Sequence, residues 1–310
     1  MAAKSIREAM GAQHPTYVGG GTDLMPLLKN HVRSDKNLVF LGEVEELKGI
    51  VREDGYLTIG AGETLYDVAA NPEVTKFFPA AAQAAGVTAS PQIRNIATIG
   101  GNIMQDRRCI YFNQSRYWRG GLPLCFKTAG EVCLQIPNSP VCRAIYYSDV
   151  ATALVLYEAE AECLEDGARS WVPVKELIAR HSLANGLACS EHLDVLVLRF
   201  RIPQPPEGER SGFYKYAMRS TIDFPLINFA LRCGGGRPAR ITAGAVAPEP
   251  VELVETARLL DRPDASDEDI VSACEAELKK RAMPIREACI PPAMKGGLYR
   301  QVAALMSLRR

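Results

Sequence analysis

Two glycine-rich stretches stand about eighty residues apart in the chain, Val18-Gly19-Gly20-Gly21-Thr22-Asp23-Leu24 and Ala97-Thr98-Ile99-Gly100-Gly101-Asn102. The first follows a short predicted strand and opens a helical pattern of leucines. Glycine has no Cβ, so its backbone can approach a ligand closely, and N–H groups that converge from a turn bind phosphate anions. Each stretch is therefore a candidate phosphate-binding loop, but an ordinary tight turn explains either one taken alone equally well.

Neither stretch fits the G-x-G-x-x-G fingerprint of a Rossmann dinucleotide site. The first stretch lacks the third glycine, and no acidic residue ends a strand at the expected distance beyond it. The sequence therefore argues against a Rossmann domain of the nicotinamide-binding type.

The chain has 310 residues, which is long enough for two packed domains, because single cores rarely grow past ~250–300 residues. The proline-rich segment Pro203-Gln204-Pro205-Pro206 predicts a boundary, with one domain over residues 1–203 and a second over residues 204–310. In the first domain, Asp54-Gly55 between two apolar stretches predicts a β-hairpin. In the second domain, predicted strands between residues 212 and 247 precede predicted helices between residues 251 and 308, which indicates an α+β fold.

The overall charge and the missing motifs exclude several classes of function. The 36 basic and 36 acidic residues cancel, which argues against electrostatic capture of nucleic acid or of an anionic membrane. No apolar stretch reaches the ~18 residues that a membrane span needs, and the N-terminal sequence does not resemble a secretory signal. We therefore predict a cytoplasmic protein with no nucleic-acid partner and no membrane span. No hydrolase, Walker or H-E-x-x-H motif is present, and the four histidines are too scattered for a metal site, so we predict no catalytic residue.

In their order along the chain, these features resemble the FAD-binding medium (beta) subunit of the xanthine oxidase and carbon monoxide dehydrogenase family of molybdenum enzymes. Besides the two glycine stretches, the matching pieces are Leu47-Lys48-Gly49-Ile50, Ile59-Gly60-Ala61-Gly62, Ser148-Asp149-Val150, and Tyr214-Lys215 through Arg219 to Asp223. The resemblance covers nearly the whole chain. It implies an α+β protein, with a two-part FAD-binding α/β domain like that of vanillyl-alcohol oxidase. A smaller C-terminal domain with an antiparallel sheet and helices follows.

The resemblance also implies one bound FAD and the residues that surround it. Both glycine stretches, Val18 to Leu24 and Ala97 to Asn102, are implied to hold the FAD pyrophosphate, and Asp149 is implied to contact the nucleotide half. Lys215 is implied to lie near the isoalloxazine, where a cation would stabilise the anionic reduced flavin. A solvated strand lysine is an equally weighted alternative for Lys215.

About forty residues separate the second glycine stretch from Ser148, and this insert, residues 103–147, contains four of the nine cysteines: Cys109, Cys125, Cys133 and Cys142. The insert has no clean helical or strand period. In a reducing compartment, clustered cysteines bind metal more often than they form disulfides. Zinc sites usually pair their ligands as C-x₂₋₄-C, and no such pair occurs here. The pattern favours an iron–sulfur cluster over zinc, and zinc over a disulfide, because nearby basic residues would offset the charge of a cluster.

The insert resembles that of one subgroup of the family, the beta subunits of 4-hydroxybenzoyl-CoA reductases, in which four cysteines bind a [4Fe–4S] cluster. This implies three partners, namely a large subunit with the molybdenum cofactor, a small subunit with [2Fe–2S] clusters, and a ferredoxin-like electron donor. Electrons would pass through [4Fe–4S] and FAD to the partner subunits, where an aromatic CoA thioester loses its ring hydroxyl. Three alternatives stay open: a molybdenum hydroxylase or dehydrogenase with outward electron flow, a stand-alone FAD oxidase with a structural zinc loop, and a non-catalytic assembly subunit.

Overall fold

Residues 1–186, 193–282 and 295–309 of the chain are described by a computed structural model. The N-terminal part begins with α1 (Ile6–Met10) and a small parallel sheet of β1 (Thr16–Val18) and β2 (Leu38–Phe40), which α2 (Leu24–Lys29) connects. The first glycine stretch therefore leaves the carboxyl end of β1 and leads directly into α2. This is the strand-to-helix position that the sequence predicts for it.

A five-stranded antiparallel sheet follows, with the strand order β3-β4-β7-β5-β6. Its strands are β3 (Ile50–Glu53), β4 (Tyr56–Gly60), β5 (Glu160–Glu165), β6 (Ala168–Pro173) and β7 (Leu196–Pro203). The predicted hairpin is confirmed, since β3 and β4 pair around Asp54 and Gly55, which both have positive φ angles as a tight two-residue turn requires.

Short helices cover this sheet and form the main core. They are α3 (Leu65–Ala70), α4 (Pro72–Phe77), α5 (Pro79–Gly86), α6 (Pro91–Arg94), α7 (Ile99–Ile103), α9 (Asp149–Leu156) and α10 (Val174–Gly186). Every residue of α9 is buried, because its sequence is apolar on all sides after the first turn. Ser148 caps it by accepting a hydrogen bond from the N–H of Ala151 at 3.0 Å.

The insert between α7 and α9 is mostly irregular, with one helical turn, α8 (Arg116–Arg119), and a 3₁₀ turn over Phe126–Thr128. Its two ends pair through a β-bridge between Arg108 and Ile145. Phe112 anchors it by packing with Leu27 and Val32 beside α2. The insert is thus attached to the same helix that follows the first glycine stretch.

The C-terminal part is a four-stranded antiparallel sheet of order β11-β10-β9-β8, backed by helices. The strands are β8 (Glu209–Tyr216), β9 (Ile227–Gly234), β10 (Arg240–Gly244) and β11 (Val251–Glu252), and the helices are α11 (Val254–Leu260), α12 (Asp267–Arg281) and α13 (Lys295–Leu298), with a 3₁₀ segment over Tyr299–Arg309. The predicted α+β class is confirmed. The predicted helices extend to residue 308, and the last part of this region, from residue 295, is α13 followed by the 3₁₀ segment.

The predicted boundary after Pro203 lies in the link between β7 and β8. Phe213 and Ala230 of the C-terminal sheet nevertheless pack into the main core, so the two parts share apolar contacts. Among the helices of the described ranges, none combines the length and the apolar character that crossing a bilayer would require.

Candidate functional site

A cavity of about 450 Å³ lies where the two glycine stretches, the start of β7 and the loop after β8 meet. Every residue that the resemblance places at the cofactor lines this cavity except Ile99, which is buried in the main core. The structure therefore brings Asp149 and Lys215 to the glycine stretches, although long segments separate them in the sequence. The cavity is the candidate site.

The two glycine stretches are packed directly against each other. A Cβ on Gly20 would overlap the backbone carbonyl oxygen of Ile96, and a Cβ on Gly19 would overlap the hydroxyl of Thr98. Gly21 has a φ of +69°, which disfavours any residue with a side chain. These glycines are therefore required by the protein's own packing, whether or not a ligand is present.

The two stretches differ in whether their backbone N–H groups have acceptors within the protein. In the second stretch, N–H groups donate within the protein: Ile99 to the carbonyl of Glu63, Gly100 to that of Ala61, Gly101 to the hydroxyl of Thr98, and Asn102 to the carbonyl of Thr98. In the first stretch, the N–H groups of residues 19–23 find no acceptor within the described part of the chain. The second stretch therefore does not offer these four donors to a phosphate, contrary to its interpretation as a candidate phosphate-binding loop, because contacts with Ala61, Glu63 and Thr98 use them.

Asp23 closes the first stretch against the start of the insert. Its carboxylate accepts hydrogen bonds from the Arg108 guanidinium and from the N–H of Asp106. The Arg108 guanidinium also lies 4.8 Å from the centre of the Phe224 ring. Arg108 thereby offsets the negative charge of Asp23. Without Arg108, the N–H groups of residues 19–23 would face an uncompensated carboxylate as well as a bound phosphate.

Asp149 and Lys215 form a buried ion pair, with 2.9 Å between Oδ2 and Nζ. Asn228 donates from Nδ2 to the other carboxylate oxygen of Asp149 at 2.6 Å. The resemblance implies separate roles for Asp149 and Lys215, at the nucleotide half and at the isoalloxazine, whereas the structure joins them. Sequence reasoning missed Asn228, although an amide inside the apolar strand sequence Ile227–Cys233 is a signal that could have identified it.

His181 on α10 also lines the cavity, and sequence reasoning missed it because the four histidines are too scattered in the sequence to indicate a site. Its Nε2 lies 3.2 Å from the carbonyl oxygen of Gln105. Burial, together with Arg107 and Arg33 nearby, lowers the pKa of His181 to about 4, although Asp106 and the contact with Gln105 oppose this shift. The imidazole is therefore neutral at pH 7.

This lowered pKa predicts a pH dependence. The unfolded chain binds a proton at His181 near pH 6.5 and the folded chain only near pH 4, so the stabilising effect is present above pH 6.5 and is lost as the pH falls toward 4. Between these pH values, unfolding of the His181→Gln variant should take up as much as about one proton fewer than unfolding of the wild-type chain, as measured from the pH dependence of the unfolding free energy. An unchanged pH dependence in this variant would contradict the assignment.

The four insert cysteines are only partly brought together. The thiols of Cys109 and Cys142 are close enough to interact electrostatically, and burial raises the pKa of Cys109. Across the described residues, no group of three or more His, Cys, Asp or Glu side chains is arranged to hold a metal ion. As arranged, the insert therefore does not fit a four-thiolate centre without movement of its loops.

Two of the sulfurs nevertheless accept hydrogen bonds. Cys109 accepts from the N–H groups of Tyr111 and Phe112, which oppose the rise of its pKa. Cys125 accepts from the Thr128 hydroxyl at 3.7 Å, whereas the Thr128 N–H donates to the carbonyl oxygen of Cys125 at 2.7 Å. Such hydrogen bonds to sulfur surround thiolates that ligate metal clusters, so the donor environment fits even though the sulfurs are not gathered.

Comparison with known proteins relates the chain to flavin-binding subunits. The family model for the FAD-binding domain in molybdopterin dehydrogenases matches residues 2–205. The xanthine dehydrogenase FAD-binding subunit of Escherichia coli is 29% identical over 239 residues, which cover 76% of this chain and 68% of that protein. The aldehyde oxidoreductase FAD-binding subunit PaoB of Escherichia coli is 26% identical over 260 residues, which cover 80% of this chain and 79% of that protein.

Solved structures show the same fold. A form of carbon monoxide dehydrogenase from Hydrogenophaga pseudoflava matches with a TM-score of 0.73 and 21% identity, over 99% of this chain and 96% of that chain. Quinoline 2-oxidoreductase from Pseudomonas putida 86 matches with a TM-score of 0.73 and 20% identity, over 99% of this chain and 95% of that chain. The likeness therefore extends over the N-terminal and the C-terminal parts alike.

Proposed function

Because the chain belongs to the family of FAD-binding domains in molybdopterin dehydrogenases, we propose that it is the flavin subunit of a multi-subunit molybdenum oxidoreductase. The observation that carries this proposal is the cavity between the glycine stretches, in which the N–H groups of residues 19–23 lack protein acceptors within the described chain. Converging amides of this kind bind a pyrophosphate. When bound, FAD exchanges electrons singly or in pairs.

The chain's own residues have distinct tasks in this proposal. The first glycine stretch binds the pyrophosphate through its free N–H groups, and the second stretch supports the first by packing against Gly19 and Gly20. Arg108 offsets the charge of Asp23 beside the phosphate position. Lys215 provides a positive charge in the cavity wall, in a pair with Asp149. In this proposal these residues bind and orient a cofactor.

Gly101→Val tests FAD binding with little risk to the fold. A Cβ on Gly101 would meet only the Thr98 hydroxyl, at 3.0 Å, so the protein can adapt, whereas the branched side chain would narrow the cavity. We expect the purified variant to fold and to lose its flavin, as measured by absorbance after denaturation. Gly121→Val, at an exposed position outside the cavity, is the matched control. Full flavin content in Gly101→Val would overturn the proposed site.

We also propose that Cys109, Cys125, Cys133 and Cys142 bind a [4Fe–4S] cluster once the insert loops close around it. Support comes from four cysteines in one insert, from the hydrogen bonds to the sulfurs of Cys109 and Cys125, and from Arg107 beside Cys142. Cations and hydrogen bonds near the sulfurs stabilise an anionic cluster and set its potential. A structural zinc in the same insert is the competing proposal.

Cys125→Ser decides between these proposals in protein purified anaerobically. We expect the variant to lose iron, labile sulfide and the paramagnetic resonance signal of the reduced cluster, while FAD stays bound in its separate cavity. Cys233→Ser is the matched control, because Cys233 lies on β9 away from the insert. Full iron content in Cys125→Ser, or zinc in place of iron in the wild type, would refute the cluster assignment.

We infer a large molybdenum-cofactor subunit, a small [2Fe–2S] subunit and a ferredoxin-like donor, with reduction of an aromatic CoA thioester as in 4-hydroxybenzoyl-CoA reductases. The relatives named above are dehydrogenase and oxidoreductase subunits, which favours a hydroxylase or dehydrogenase with outward electron flow as the second candidate. Copurification of the native complex, followed by assays with a reduced ferredoxin and with each substrate class, distinguishes the two directions.

A further inference from the structure

A chain of buried polar contacts leads from the cavity into the protein interior. Lys215 Nζ contacts Asp149 Oδ2 at 2.9 Å and donates to the carbonyl oxygen of Val87 at 3.2 Å. Asn228 Nδ2 donates to Asp149 Oδ1 at 2.6 Å, and the Thr152 hydroxyl donates to Asn228 Oδ1 at 2.9 Å. Asn228 and Thr152 are fully buried, so water does not compete for these contacts. Four residues from α9, β8 and β9 thus form one connected network.

The hydrogen bonds of the network fix the orientation of the Asn228 amide. Because the Thr152 hydroxyl donates to the amide oxygen of Asn228, the amide nitrogen is turned toward Asp149. The backbone of β10 packs closely against this contact, since a Cβ on Gly244 would overlap both Thr152 Oγ1 and Asn228 Oδ1. Asn228 is therefore held as a donor to the carboxylate.

The Asn228 donor stabilises the ionised form of Asp149. The Asp149 side chain is buried, and burial raises its pKa, while the ion pair with Lys215 and the hydrogen bond from Asn228 oppose the rise. Removing the Asn228 donor therefore makes protonation of the carboxylate easier. The charge of Asp149 in turn offsets the charge of Lys215 at the cavity wall.

We propose that Asn228 is a positioning residue that acts through Asp149 to hold and neutralise the Lys215 ammonium, and so sets the reduction potential of a flavin in this cavity. This inference rests on the proposed function, because it requires the cavity to bind FAD. Without the Asn228 donor, Asp149 takes up a proton and Lys215 keeps an unopposed positive charge. An unopposed cation favours the electron-rich reduced flavin, so the potential rises.

The experiment is a potentiometric titration of the bound flavin in the native complex, with Asn228→Leu, Asp149→Asn and the double variant. Asn228→Leu is expected to shift the equilibrium toward reduced flavin about tenfold. Asp149→Asn should shift it in the same direction at least as far. In the Asp149→Asn background, Asn228→Leu should add nothing, because the residue through which it acts has lost its charge.

Thr152→Val covers the case in which Asn228→Leu does not fold, because valine has nearly the same shape as threonine and only the hydroxyl donor is lost. It should shift the equilibrium in the same direction by a smaller factor. An unchanged potential in flavin-loaded Asn228→Leu or Thr152→Val would overturn the inference, and so would an effect that adds to that of Asp149→Asn. A wild-type chain that binds no FAD would instead overturn the proposed function, and the inference with it.

Discussion

The Gly20→Ala variant is expected to lose at least ~3 kcal/mol of folding free energy and to purify without flavin. Its new Cβ would overlap the carbonyl oxygen of Ile96 and lie 2.6 Å from the carbonyl carbon. Both atoms belong to the backbone, so no side-chain rotation relieves the overlap. The two stretches must separate, and their separation moves the free N–H groups of the first stretch. Urea unfolding and flavin content, measured on the same preparation, report the two effects.

Gly86→Ala provides the matched control for an added methyl group. Gly86 ends α5, and the nearest atom to a Cβ there would be the Cβ of Ala69 at 3.7 Å, an ordinary van der Waals contact. Alanine is also the better helix former, so this variant should be as stable as the wild type or slightly more stable. Wild-type stability in Gly20→Ala would show that the glycine stretches are not packed as described.

The Arg232→Met variant is expected to lose about 1.5–3 kcal/mol of stability, because a buried guanidinium and its hydrogen bonds are lost while Glu209 keeps its ion pair with Arg237. Arg232 is 4% exposed and lies 3.5 Å from the carboxylate of Glu209, which is 2% exposed at its side chain. Arg232 also pairs with Glu158 at 3.0 Å and donates to the carbonyl of Leu156, at the carboxyl end of α9. Its loss therefore weakens the junction between α9 of the main core and the C-terminal sheet.

Arg258→Met is the control for removing an arginine that forms an ion pair at the surface. Arg258 pairs with Glu255 on α11, and both side chains are mostly exposed. Exposed pairs contribute little because water screens them, so the unfolding midpoint should hardly change. If thermal unfolding shows equal effects for the two variants, the buried network around Arg232 does not stabilise the fold in the way argued here.

Local patterns in the sequence predicted local structure well. The β3–β4 hairpin follows from Asp54-Gly55. The family was also recognisable, since short motifs in the right order carry it and the family match confirms it. Closeness to the 4-hydroxybenzoyl-CoA reductase subgroup, the domain boundary and the individual site residues stay predictions.

Non-local contacts explain what sequence reasoning missed. Nothing near His181 in the sequence indicates a role, and only the fold brings α10 to the position where His181 contacts Gln105 in the cavity. The sequence does not show that the backbone N–H groups of Ile99 and Gly100 are occupied. In the structure, the 61–63 segment accepts their hydrogen bonds. In both cases the deciding partner lies many residues away, so no pattern within a window of the sequence contains it.

For this protein, the sequence by itself determined the α+β class, the two glycine stretches and the family, because turn chemistry, helix caps and motif order depend on neighbouring residues. Only the tertiary structure decided which glycine stretch keeps its donors free, and that Asp149, Lys215 and Asn228 form one network across α9, β8 and β9. The physical reason is that a hydrogen-bonding group has few partners, and burial forces it to use whichever ones the fold brings within reach.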